Sequence, residues 1–199
     1  MLRHLRPALV MLLLMTVLTG LLFPLAMTGI AGVVLPKEAG GSLLQRDGKV
    51  VGSSLIGQSF TSDKYFHGRP SATTDTDPND STKTVLAPYN AANSLASNLG
   101  PTSKALVERV KGDVEKLGGS KDKPVPADMV TTSASGLDPH ITPASAALQV
   151  ARVAKARGLP EERVRALVAA ATEERTVGLL GERRVNVLML NLSLDAAGK

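Results

Sequence analysis

The sequence predicts an α+β fold: a single N-terminal transmembrane helix followed by one extracytoplasmic α/β-mixed domain with a small sheet and packed helices. Three observations carry that prediction. Residues 8–35 (ALVMLLLMTVLTGLLFPLAMTGIAGVVL) contain no charged side chain. Helical periods with natural caps recur further along, and the apolar run 185–194 alternates in the manner of a strand.

At about 1.5 Å of rise per residue, ~20 apolar residues cross a hydrocarbon core of ~30 Å, so residues 8–35 span it with room for tilt. Arg3 and Arg6 give the chain a basic start like that of a secretory signal. A signal's apolar core is shorter and ends in an A-x-A-like site, and none occurs between Leu21 and Leu35. The segment is therefore expected to remain as an anchor. Lys37, Arg46 and Lys49 follow it, so charge counting alone does not orient the helix. A short basic tail is readily held back while a long following domain translocates with little regard to its charge. Residues 1–7 are thus expected in the cytoplasm and residues 36–199 outside it, in a protein of the cell (inner) membrane.

Along the span Thr16, Gly20, Pro24, Thr28 and Gly32 recur every fourth position. Small residues let a neighbouring helix approach closely within lipid, which makes this stripe a candidate contact for a partner helix. Pro24 removes one amide from the helical ladder and is expected to kink it.

Composition narrows what the rest can do. With no Cys there is no disulfide, thiolate metal site or Cys nucleophile, so packing alone must hold an exported domain. Aromatic residues make up 3% and Trp is absent, which disfavours a stacking platform for nucleic acid. The 23 Lys and Arg, two of them in the tail, are nearly balanced by 18 Asp and Glu. That is a mixed surface without a basic patch.

Taken in order, residues 37–47 read as a connector. Val50, Val51, Leu55, Ile56 and Phe60 form a β-prone stretch interrupted by Gly52 and Gly57. Tyr65-Phe66-His67-Gly68-Arg69-Pro70-Ser71-Ala72 reads as a packed aromatic corner, since His67 has no evident acid and nucleophile at a useful spacing. Residues 73–103 are polar and rich in Asp, Asn, Ser and Pro, which predicts a long loop. Asp75, Asp77, Asn79 and Asp80 suggest a calcium loop, but Asp80 and Leu86 stand where that pattern wants Gly and Glu, so no metal site is expected.

Residues 103–117 predict an amphipathic helix with Leu106, Val107, Val110, Val114 and Leu117 toward the core, closed by Gly118 and Gly119. Thr142 is a natural N-cap and Pro143 suits the first helical position, which predicts a helix to Arg157 ended by Gly158. Another begins at Pro160, with Glu161 and Glu162 complementing its dipole and Val164, Leu167, Val168 and Ala171 inward. Leu188, Leu190, Leu192 and Leu194 then predict a central strand over residues 185–194. Ser133, Ser135, Asp138 and His140 supply the residue types of a hydrolase triad. The nucleophile-elbow pattern is absent, however, and a turn leading into a helix cap explains the same letters. No catalytic residue is assigned, and a membrane-anchored extracytoplasmic hydrolase using Ser135 and His140 is the alternative.

Several blocks, in order, carry a resemblance to a known family. They are Leu5-Arg6-Pro7-Ala8, Gly52-Ser53-Ser54-Leu55-Ile56-Gly57-Gln58, Tyr65 to Ala72, Ser97-Asn98-Leu99-Gly100-Pro101, Val130 to Ile141, Gln149 with Arg152 to Arg157, and Val185-Asn186-Val187-Leu188 through Asp195. In these the chain resembles the C subunit of the Kdp-type potassium-transporting P-type ATPase (KdpC family). Phe23-Pro24 replaces the Tyr-Pro expected of that family, and Glu182-Arg183-Arg184 stands where a Pro is usual. The resemblance implies an accessory subunit of a high-affinity, ATP-driven potassium import complex. Its partners would be a channel-like potassium-binding subunit, an ATP-hydrolysing subunit, often a small single-span peptide, and membrane lipid. It also implies a catalytic chaperone that raises the pump's affinity for ATP, and Gln149 matches a glutamine proposed to touch nucleotide. ATP and potassium then enter through the complex rather than as groups held by this chain.

Overall fold

The computed structural model describes residues 2–198, in two compact units that meet in sequence between Ser53 and Ser54. In the first, α1 (Leu5–Val17) and α2 (Phe23–Val34) form one helical run of 30 residues, joined by a π-helical turn over Leu18–Leu22. Among the described residues this is the one helix long and apolar enough to cross a membrane. The π turn lies just ahead of Pro24. There the ladder widens, and the Phe23 amide donates to the Leu18 carbonyl five residues back. A proline ring would crowd the carbonyl of Gly20 in a regular helix and offers it no hydrogen, so a wider turn accommodates it.

After one helical turn, α3 (Pro36–Ala39), the chain forms a hairpin of β1 (Leu43–Arg46) and β2 (Lys49–Ser53). This corrects the connector expected over residues 37–47. The turn is Asp47-Gly48, with φ of 52° and 75°, and such left-handed pairs match the twist of the flanking strands. Ser53 Oγ closes the base by donating to the Gly41 carbonyl at 2.7 Å. Of the β-prone stretch, only Val50 and Val51 lie in a strand.

The second unit opens with another correction. The long polar loop expected over residues 73–103 contains a hairpin of β3 (Thr74–Asp77) and β4 (Asp80–Leu86). Its acidic residues shape their own backbone: Asp77 Oδ1 accepts from the Asn79 amide at 2.8 Å and Asp80 Oδ1 from the Thr82 amide at 3.0 Å. Asp and Asn therefore serve here as turn formers flanking short strands. Next, α4 (Lys104–Lys116) starts at the Ser103 cap and stops before Gly118, at φ 65°. Its apolar stripe was expected to face the core, yet none of its residues is buried and Val107 is exposed.

The core lies between three helices and a small sheet. Residues β5 (His140–Ile141), α5 (Pro143–Arg157), α6 (Glu161–Ala170), β6 (Thr172–Glu173), β7 (Arg184–Asn186) and α7 (Val187–Ala197) follow one another along the chain. The sheet order is β5-β7-β6, antiparallel throughout, with Ile141 and Thr172 on either side of Val185. Thr142 Oγ1 accepts from the Ser145 amide at 3.1 Å, and Gly158 adopts φ 65° at the far end, so α5 begins and ends where its caps predict. Val150, Val153, Val164, Leu190 and Leu194 pack with Phe66 in one cluster. Each such side chain contributes about 1.5–3 kcal/mol on burial.

The strand expected over residues 185–194 is the largest correction. Only Arg184–Asn186 is strand, and Val187–Ala197 is α7. Asn186 makes the switch, because its Oδ1 accepts from the Met189 amide at 3.1 Å as an N-cap. Val187, Leu190, Asn191 and Leu194 are buried, a spacing of three and four that an alternation of leucines conceals.

Candidate functional site

Residues 66–73 form no regular element, yet Phe66 and Thr73 are fully buried. Buried main chain must find partners, and here two side-chain amides from different helices provide them. Asn191 of α7 accepts from the Phe66 amide at 2.9 Å and donates to the Phe66 carbonyl at 3.0 Å. Gln149 of α5 does the same for the next residue, accepting from the His67 amide at 2.8 Å and donating to its carbonyl at 3.1 Å. Two amides thus imitate two rungs of a ladder.

Arginines on α5 extend the clamp toward residues 63–65. Arg152 donates to the carbonyls of Asp63 (2.8 Å) and Tyr65 (3.0 Å) and to Gln149 Oε1 (2.8 Å). Arg157 donates to the Lys64 carbonyl at 2.6 Å, pairs with Asp195 at 2.8 Å and lies 4.9 Å over the Tyr65 ring. In the other direction Arg69 pairs with Asp138 at 3.0 Å, and Asp138 Oδ1 accepts from the His140 amide at 2.9 Å. The Tyr89 hydroxyl donates to the Arg69 carbonyl at 2.8 Å. A Cβ on Gly68 would stand 2.3 Å from that hydroxyl, so only glycine admits the ring so close.

Charge is tuned by the same packing. Burial, reinforced by the nearby Arg152, lowers the His67 pKa and keeps the imidazole neutral. Burial pushes Asp138 up, but hydrogen bonds from His140 and Arg69 outweigh it and hold its carboxyl below the usual range. Burial and the Asp138 charge raise Tyr89 to about 12. Both lowered groups make the fold acid-sensitive. The His67 contribution is lost as pH falls below its ordinary value of 6.5 toward the lower folded value, because the unfolded chain then binds the extra proton. The Asp138 contribution is present above 3.8 and is lost as pH falls through the lower folded value. We expect His67→Gln to flatten the upper part of a stability-against-pH curve and Asp138→Asn the lower part, measured by thermal unfolding.

The structure brings Gln149, Arg152 and the segment Tyr65 to Ala72 together. Gln149 is 4% exposed, and both ends of its amide are taken by the His67 main chain. Asn191 was missed, although an Asn in the middle of an apolar run is a visible sign of a buried polar contact. The hydrolase residues do not converge: the Ser135 hydroxyl accepts from the Leu137 amide at 3.1 Å, while the His140 ring faces Asp138 at 3.5 Å. Among the described residues no hydrogen bond joins Ser133 or Ser135 to His140. Arg69, Asp138 and His140 instead border an open cleft of about 330 Å³ with Asp128, Thr142, Arg183 and Arg184. In the first unit Thr16, Gly20, Pro24, Thr28 and Gly32 are all exposed. A Cβ at Gly32 would meet nothing within 4 Å, and one at Gly20 only the methyl of Thr16 at 4.0 Å.

The comparisons with known proteins agree along the whole chain. A family model described as K+-transporting ATPase, c chain, matches residues 5–196. A potassium-transporting ATPase KdpC subunit of Rhodopseudomonas palustris (strain BisB18) is 66% identical over 198 residues, covering 99% of this chain and 100% of the relative. Its counterpart in Methylobacterium nodulans is 66% identical over 201 residues, with 100% of both chains covered. That in Bradyrhizobium diazoefficiens is 66% identical over 198 residues, covering 99% of this chain and 98% of the other. The chain therefore belongs to the KdpC family and is a subunit of the K+-transporting ATPase.

Proposed function

We propose that this subunit is a non-catalytic chaperone of the pump: its second unit stands outside the cytoplasm and raises the complex's affinity for ATP indirectly, through contact with its neighbours. The neighbours are a channel-like potassium-binding subunit, an ATP-hydrolysing subunit and a small single-span peptide, with the N-terminus of this chain in the cytoplasm. The observation that carries the reading is the state of Gln149. Its amide makes a complete pair with the His67 main chain and accepts from Arg152 as well, so we assign it to holding the clamp rather than to nucleotide. An effect on ATP then has to be a coupling between sites, which is reciprocal: ATP on the hydrolysing subunit would tighten the hold of this one.

The stripe on the membrane helix supports the anchoring half of the proposal. In a regular helix residues four apart advance about 40° further round the axis at each step. The π turn over Leu18–Leu22 holds more residues per turn, so it draws Thr16, Gly20 and Pro24 back toward one line. A partner helix can follow such a line closely.

The test is kinetic. Complex purified without this subunit should show a several-fold higher KM for ATP with a smaller change in kcat, and adding back the full chain in detergent should restore it. The isolated chain should hydrolyse no ATP. Unchanged KM, or photoreactive ATP labelling the isolated chain at Gln149, would contradict the proposal.

A further inference from the structure

Between β6 and β7 the chain makes a third, smaller hairpin that the clamp does not use. Thr176 and Leu180 exchange main-chain hydrogen bonds at 2.9 and 3.0 Å, and the tip between them is apolar. Val177 is 83% exposed, Leu179 82% and Leu180 65%. Val177 also sits at φ 50° beside Gly178 at φ 74°. A branched side chain rarely occupies that left-handed region, and such strain collects at binding elements.

Beneath the tip three ion pairs cross the hairpin: Arg175 with Glu182 at 2.6 Å, Arg183 with Glu174 at 2.8 Å and Arg184 with Glu173 at 2.8 Å. Exposed pairs of this kind add little stability individually. Their consequence here is that three arginines are matched by three glutamates, leaving a neutral stem under an apolar tip.

We infer that the tip Val177-Gly178-Leu179-Leu180 is a docking anchor that inserts into an uncharged apolar pocket on another subunit of the ATPase, on the side of the membrane where the second unit lies. The inference rests on the proposed function, and it names a surface that the clamp and the membrane stripe do not include. Charge selects the occupant. Anionic headgroups bind unmatched basic residues, and this stem has none to spare, whereas an uncharged protein pocket gains from burying three apolar side chains. A tip held by its own ladder loses little freedom on docking. The gain comes from removing the exposed surface of Val177, Leu179 and Leu180 from water.

The experiment uses the full chain within the complex. A photoreactive amino acid at position 179 should cross-link to another subunit of the ATPase. Leu179→Asp combined with Leu180→Asp should lower the amount of co-purified subunits by about tenfold or more. Thermal unfolding of the isolated full chain in detergent should be unmoved, since the tip is exposed. A cross-link to lipid alone, or co-purification equal to that of the unsubstituted chain, would overturn the inference and leave the proposed function standing. Failure of the unsubstituted chain to bring down any other subunit would instead overturn the proposed function, and this inference with it.

Discussion

Asn191→Ala should lower the thermal midpoint of the second unit by about 6–12 °C, corresponding to about 3 kcal/mol for a unit of this size. The side chain is 2% exposed and makes both main-chain hydrogen bonds of Phe66, itself fully buried. Alanine leaves a buried donor and a buried acceptor of Phe66 without partners, and it opens a gap at a buried position. Gln149→Ala should act similarly on His67. Because Phe66 and His67 are consecutive, loosening one frees the other, so the double variant should lose less than the two separate losses combined. Thermal unfolding of the three variants measures this, and a midpoint unmoved by Asn191→Ala would dispose of the clamp.

Gly20→Phe together with Thr28→Phe should cut the amount of other ATPase subunits recovered with the chain about tenfold. Phenylalanine is apolar, so the helix still inserts. What changes is the distance at which a neighbouring helix can pass. Leu14→Phe is the control, because position 14 lies about 200° round the helix from Thr16. If recovery with the paired substitution equals that of the control, the stripe has no partner.

The elements legible in the sequence are those fixed by local chemistry. Thr142-Pro143 and Gly158 bound α5, and Ser103 and Gly118 bound α4, because caps satisfy main-chain groups within a few residues. The helical run Leu5–Val34 follows from the absence of charge. Asp47-Gly48 is equally local, a two-residue turn signal straddling the end of the stretch that reads as a connector. The leucines of residues 188–194 misled for a physical reason. Their alternation fits a strand, but Asn186 caps a helix and burial then selects the spacing of Val187, Leu190 and Leu194. The clamp was illegible. It joins Gln149 to His67 and Asn191 to Phe66, partners 82 and 125 positions apart, and no pattern within one window encodes such a pairing. Gln149 came forward through a family likeness, and only its geometry shows that its amide is already occupied.

The side of the membrane on which the second unit stands is the claim from which indirect action on ATP follows. The chain has no Cys, so Lys121→Cys, at an exposed position, places a single thiol in that unit. In intact cells a membrane-impermeant maleimide should label this thiol as completely as it does after lysis. Protection in intact cells with labelling only after lysis would put the second unit among the cytoplasmic ATP and contradict the account.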